Sequence, residues 1–354
     1  GVPADLAALA ASGILTPAAL AEVLAEAASP GEAVLADVPV GELVRRRLGA
    51  QVLERLVDPL LGGVYAGYAD NLSLQATMPA LAVALRTPRS LVAAAQLARG
   101  DAPAGPAFAT LRQGLGALVA AVLAGLAAEI RGGLSVREIS RTESGFRLVA
   151  GPVPDPTVMY ADAVVVAVPA APAGRMLRDI APAAAADLAG ITYASMAIVT
   201  LAYPVTGLPP GSGLLVGSAE GRVVKAITFS SQKWAHLSGG LAVLRASIGR
   251  YGEEALLQRP DEDLAALAAE DVATLAGIAG RPIAARVTRW GGGLPQYAVG
   301  HLDRVARIEA DVARTPGLAV AGAAYRGVGV PACIRSGYAA AARVGEHLRQ
   351  SAHG

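Results

Sequence analysis

A chain of 354 residues can bury a large core and has room for two domains, and its formal charge of +1, from 30 Lys and Arg against 29 Asp and Glu, offers no global field to recruit nucleic acid. Its one cysteine, Cys333, excludes an internal disulfide and a cysteine-based zinc site, and four histidines without an HExxH spacing give no metal motif. The longest apolar run, 114–128, is shorter than a bilayer span and ends at Glu129 and Arg131, so no transmembrane helix is expected.

Residues 1–100 read as helical, with Thr16 as N-cap and Pro17 at the first helical position. The stretch VPVGELVRRRLGAQVLERLVDPLLGG sets Leu43, Leu48, Val52, Leu56 and Leu60 near one face and leaves Arg45, Arg46, Arg47 and Arg55 on others, a solvated surface or an anion site. Gly62, Gly63 and Gly67 then read as a turn between helices, and Tyr65 is either core or the wall of a pocket. Arg99–Pro106 has loop composition, and a helix is expected from about Gly114 to before Gly132. Alternation in LSVREISRTESGFRLVAG predicts a hairpin turning at Ser144-Gly145. The run ADAVVVAVPA (161–170) suggests a strand of a parallel sheet, buried on both faces.

Between about 178 and 300, SMAIVTLAY, GSGLLVG, RVVKAITFS, LAVLRASIG and RPIAARVTRW read as strands of a mixed sheet, covered by the helix DEDLAALAAEDVATLAGI. Arg245 sits mid-strand in an apolar setting, where a cation needs either an Asp or Glu partner or an anionic ligand. Near the C-terminus a short strand, 318–321, ends at Gly322, a glycine-rich turn follows, and helical spacing begins at about Cys333. Such a helix start suits an electron-rich or anionic ligand. No Ser/His/Asp, Cys/His or paired-carboxylate constellation appears, so the chemistry must belong to a cofactor.

The segment AGAAYRGVGVPACIRSG (321–337) resembles the flavin-binding signature of the amine oxidase and protoporphyrinogen oxidase superfamily, and more narrowly that of the porphyrinogen oxidases of haem synthesis. LLGGVYAGYADNLSLQATMPAL (60–81), GSGLLVG (211–217) and RWGGGLPQYAVGH (289–301) resemble the same family in the same order. The resemblance implies FAD as cofactor. Gly322, Gly329, Val330 and Ile334 would then meet the flavin, Trp290 would lie near it, and Val136 would meet the adenine through its backbone. On the substrate side it implies that the Gly63 carbonyl faces the pyrrole N–H groups and that Leu215 packs on the macrocycle, with core leucine as the alternative. Arg245 would contact a propionate or pair internally, and no side chain is assigned a catalytic role; His301 is read as structural.

The implied fold is α/β with α+β character: an incomplete Rossmann-like FAD-binding domain, a mixed-sheet substrate domain and a helical domain. Their expected bounds are 1–100 (helical), 101–177 and 301–354 (FAD-binding) and 178–300 (substrate-binding). GVGVPA (327–332) and GSGLLV (211–216) only partly match GxGxxG, and neither joins a strand to a helix followed by an acidic ribose ligand, so the first dinucleotide-binding unit is expected to lie upstream of Gly1. The implied activity is hydride removal from a porphyrinogen in successive rounds, with molecular oxygen taking the electrons. The arginine-rich chain tilts the expected substrate toward coproporphyrinogen III, with protoporphyrinogen IX or an amine as alternatives. No signal peptide is read, and a cytoplasmic setting, free or peripheral to a membrane, is expected.

Overall fold

The computed structural model describes residues 1–100, 108–204, 207–237, 239–278 and 280–352. The N-terminal part is helical, as its composition demands. Helix α1 (Leu6–Ser12) is capped by Asp5 and α2 (Pro17–Ala27) by Thr16, whose hydroxyl accepts from the Ala19 N–H. Helix α3 (Val40–Leu48) stops at Gly49, φ +84°, so the single helix expected there is broken. The chain restarts as α4 (Ala50–Val52), widens into a π-turn at Leu53–Val57 and continues as α5 (Asp58–Tyr65). That extra residue per turn shifts the buried face: Leu43, Leu48 and Val52 are buried as expected, but Leu53, Val57 and Leu61 follow them and Leu60 is exposed. Gly62 and Gly63 belong to the last turn of α5, and the left-handed residue that closes it is Ala66.

Helices α6 (Leu74–Thr77), α7 (Pro79–Ala84) and α8 (Leu91–Arg99) complete this layer, with Ser73 and Ser90 as caps of the first and third. Arg45 and Arg46 are solvated, while Arg47 is largely covered and pairs with Glu26 at 2.7 Å. The loop expected over 99–106 lies mostly outside the described residues. Helix α9 (Gly116–Ala124) is shorter than expected and buries none of its side chains.

Strands β1 (Val136–Arg141) and β2 (Phe146–Ala150) form the expected hairpin, and β3 (Thr157–Ala161) adds a third antiparallel strand. Strand β4 (Val164–Val166) leads through α10 (Ala170–Leu177) and α11 (Pro182–Ala189) into a five-stranded sheet. Its members are β5 (Tyr193–Tyr203), β6 (Gly213–Leu215), β7 (Val224–Phe229), β8 (Ala242–Ile248) and β9 (Ala284–Pro295), with α12 (Ser230–Lys233) and α13 (Asp261–Ala276) between strands. Their order is β6-β7-β8-β5-β9, and every pairing is antiparallel where a mixed sheet is expected.

After α14 (His301–Ala313), β10 (Leu318–Val320) pairs in parallel with β4, and α15 (Val330–Ser351) follows. Pro331 suits the first turn, which places the helix start ahead of Cys333. The parallel pair is the Rossmann-like element; Val166 is buried but Val165 is 40% exposed, so β4 is covered on one face only. The α/β class therefore stands. Among the described residues no helix is long and apolar enough to cross a membrane.

Candidate functional site

The glycine-rich segment between β10 and α15 is held from outside by the PQY…GH stretch. The Tyr297 hydroxyl donates to the Ala323 carbonyl (2.6 Å) and accepts from the Gly327 N–H (2.8 Å), so one oxygen spans the turn. Its ring stacks on His301 at 3.9 Å, and the His301 Nε2–H donates to the Tyr325 carbonyl (2.8 Å). Burial pushes the Tyr297 and Tyr325 phenols up and the His301 imidazole down, which keeps all three neutral near pH 7. His301 is thus a satisfied structural group. Tyr65, tilted against Tyr297 at 5.7 Å and buried, is core and not an open pocket wall.

The segment itself is shaped for close approach. Gly322 has φ +126°, open space where a Cβ would stand, and an N–H that donates to Ser336 Oγ at 3.1 Å. Gly329 caps α15 by its backbone alone, so the first-turn N–H groups lack a side-chain acceptor, and Val330 and Ile334 stay about half exposed beside them. A cavity of about 570 Å³ adjoins this unit, lined among others by Val320, Tyr325, Ser336 and Arg335. Gly322, Gly329, Val330 and Ile334 therefore share one loop and helix start. Val136 stands apart on β1 and packs on the core that contains Ala324 and Tyr325.

A second surface comes from strand register. One face of the five-stranded sheet is closed by α13 and holds Val199, Leu201, Ile227, Leu244 and Ala246. On the opposite face Arg245 pairs across to Thr200 and Thr228, Trp290 to Met196, and Leu215 to Ala226. Because side chains alternate along a strand, Leu215, Arg245 and Trp290 share that open face. Arg245 is exposed there, which corrects the apolar setting expected for it, and it has no ion pair among the described residues. Trp290, 55% exposed, lines a cleft of about 200 Å³ with Met196 and Leu257, to which α15 contributes no residue.

Gly63 meets this surface at its edge. A Cβ built on Gly63 would stand 3.2 Å from Leu215 Cδ2, so the two residues assigned to the macrocycle are neighbours. The Gly62 carbonyl accepts from Ala66 N–H at 3.0 Å, whereas among the described residues no donor meets the Gly63 carbonyl.

Two groups escaped the reading of the sequence. Arg286 lies on the open sheet face, on the other side of Thr200 from Arg245, and its period-two spacing to Trp290 was the available signal. Tyr297 stood inside a quoted motif, yet nothing in one sequence tells that its hydroxyl bridges a turn 26 and 30 residues away. Lys225 is only 1% exposed and donates to the Gly249 carbonyl.

An uncapped helix start with free N–H groups, apolar flanks and a glycine with open space before it fits the electron-rich edge and flat face of a flavin. Fold and site together define a flavin-dependent oxidoreductase. A model of the flavin containing amine oxidoreductase family matches residues 2–345, and the chain belongs to that family, with FAD as cofactor. It is 41% identical over 339 residues to a coproporphyrinogen III oxidase of Mycobacterium tuberculosis, covering 94% of this chain and 72% of the relative. A coproporphyrinogen III oxidase of Bacillus subtilis is 31% identical over 353 residues, covering 96% and 74%. A crystal structure from Exiguobacterium sp. 255-15, designated a candidate protoporphyrinogen oxidase, superposes with a TM-score of 0.83 at 32% identity, covering 98% of this chain and 76% of that one.

Proposed function

We propose that the protein oxidises coproporphyrinogen III to coproporphyrin III in haem synthesis, with molecular oxygen as the final electron acceptor. The observation that carries this reading is the 41% identity, over 94% of the chain, to the mycobacterial enzyme of that name. FAD, when bound, supplies a two-electron acceptor that oxygen regenerates. Gly322, Gly329, Val330 and Ile334 would hold its ring, Trp290 would lie toward it, and Val136 would meet the adenine. The segments 101–177 and 301–354 form the FAD side, and 1–100 with 178–300 form the substrate side.

The chain's own part is orientation and exclusion of water. The unpaired Gly63 carbonyl accepts a pyrrole N–H and fixes the macrocycle in register. Leu215 packs on its face, and Arg245 and Arg286 meet propionates from the open sheet. Two arginines on one face favour the more highly carboxylated substrate. A cytosolic setting accompanies this reading, since the protein has a single free thiol.

Protoporphyrinogen IX is the second reading, favoured by the designation of the Exiguobacterium structure. Porphyrin fluorescence with each porphyrinogen, using the FAD-loaded protein, separates the two. Faster turnover of coproporphyrinogen III is the expected result. Equal rates would remove the preference, and no porphyrin from either would end the proposal.

A further inference from the structure

The surface that Gly63 and Leu215 form together is backed by a buried cation that the proposed chemistry does not use. Arg250 is 3% exposed, on the turn that follows β8. One Nη donates to the carbonyl of Val216, the residue after Leu215, at 3.0 Å. Its Nε has no partner among the described residues and stands 3.6 Å from the point where a Gly62 Cβ would be. The backbone of the same turn is tied to the same wall, because the Tyr251 N–H donates to the Ala66 carbonyl at 2.7 Å.

Arg250 is itself fixed. Its backbone N–H donates to Glu253 Oε2 at 2.9 Å, while Tyr68, on the loop after α5, donates to Glu253 Oε1 at 2.6 Å. Lys225 holds the preceding carbonyl, that of Gly249. A guanidinium with an unpaired Nε, beside a second buried cation, is an expensive way to make a core. A hydrophobic side chain of similar volume would fill the space, yet it could not hold the Val216 carbonyl against α5.

We infer that Arg250 is a positioning residue that holds Leu215 on β6 in place beside Gly63 on α5, and so shapes the surface on which these two residues together meet the macrocycle. This deepens the proposed function and rests on it. The guanidinium reaches both walls, the carbonyl that follows β6 and the glycine that precedes Gly63, and works beside the Ser218 hydroxyl, which donates to Asp58 of α5 at 2.8 Å. Losing the fork lets β6 move relative to α5 and loosens the grip on a rigid planar ligand, while the FAD side keeps its own contacts through Tyr297 and α15.

The test compares the FAD-loaded wild type with Arg250→Met and Arg250→Lys. Binding of coproporphyrin III, read by porphyrin fluorescence without turnover, is expected to weaken roughly tenfold in Arg250→Met and less in Arg250→Lys, in line with losing a charge-assisted hydrogen bond. Under anaerobic conditions flavin reduction by coproporphyrinogen III should slow in the same order, while reoxidation by oxygen keeps the wild-type rate. If Arg250→Met does not fold, Arg250→Lys carries the same comparison. Unchanged porphyrin binding, or equal loss of both half-reactions with a disturbed flavin spectrum, overturns the inference. A wild type that oxidises no porphyrinogen overturns the function instead, and is told apart because it fails before any variant is compared.

Discussion

Tyr297 is a residue whose hydroxyl does the work of two, accepting from Gly327 and donating to Ala323 on either side of the turn. Tyr297→Phe keeps the ring stack on His301 and strands a half-buried N–H and a half-buried carbonyl. Such a loss is worth about 1–3 kcal/mol. A lower Tm and weaker FAD retention than wild type are the expected result, measured by thermal unfolding and by flavin released on gel filtration. An unchanged Tm would mean that water replaces the hydroxyl. Lys225 offers a complementary measurement. Burial, with Arg250 nearby, pushes its ammonium down from 10.5 to about 8. Between those values the unfolded chain holds a proton that the fold does not, so this group's contribution to stability rises with pH across the window and is most unfavourable below pH 8. Relative to Lys225→Met, the wild type should gain up to about 3 kcal/mol between pH 7.5 and 10.5 in urea unfolding. A difference that does not change with pH would show that Lys225 keeps its ordinary affinity for a proton.

At the scale of elements, the surface at Gly63 can be separated from the fold that makes it. Gly63 is helical, so Ala there removes backbone freedom from the unfolded chain and should raise stability by roughly 0.5–1 kcal/mol. The same methyl stands 3.2 Å from Leu215 Cδ2 and intrudes where the macrocycle is proposed to lie. Gly63→Ala is therefore expected to show an equal or higher Tm together with a several-fold higher KM for porphyrinogen. A KM that matches the wild type would place the substrate elsewhere. This element also shows what sequence can and cannot tell. The strands of the five-stranded sheet were legible because alternation is local, but their pairing was not, and the shared face of Arg245 and Trp290 follows only once register is known. The π-turn at Leu53–Val57 was not legible, since it depends on how α5 is packed, and it turned Gly62 and Gly63 from a loop into a helix end.

Over the whole molecule, the motifs 60–81, 289–301 and 321–337 were readable as separate stretches, but the way they converge was hidden because the contacts cross hundreds of residues. Leu72 bridges to Ala298, the Ser73 N–H donates to the Tyr297 carbonyl at 2.8 Å, and Val328 packs on the helical core. Asp37, which belongs to none of these motifs, fastens the arrangement. Its carboxylate accepts from Ser73 Oγ at 2.7 Å, from the Gln75 N–H at 3.1 Å and from the Gly300 N–H at 2.8 Å, joining the helical layer to the entry of α14. Asp37→Ala leaves two N–H groups and a hydroxyl seeking partners at once, so its cost should exceed that of Tyr297→Phe. Asp37→Asn keeps acceptors for part of the set and should fall between them. Hydrogen exchange then distinguishes a local from a global role: accelerated exchange in both 70–78 and 296–303, with β5 and β8 unchanged, is the outcome expected of a fastener between layers. Acceleration confined to 70–78 would mean that α14 is held by Tyr297 and His301 alone, and that the two layers meet without Asp37.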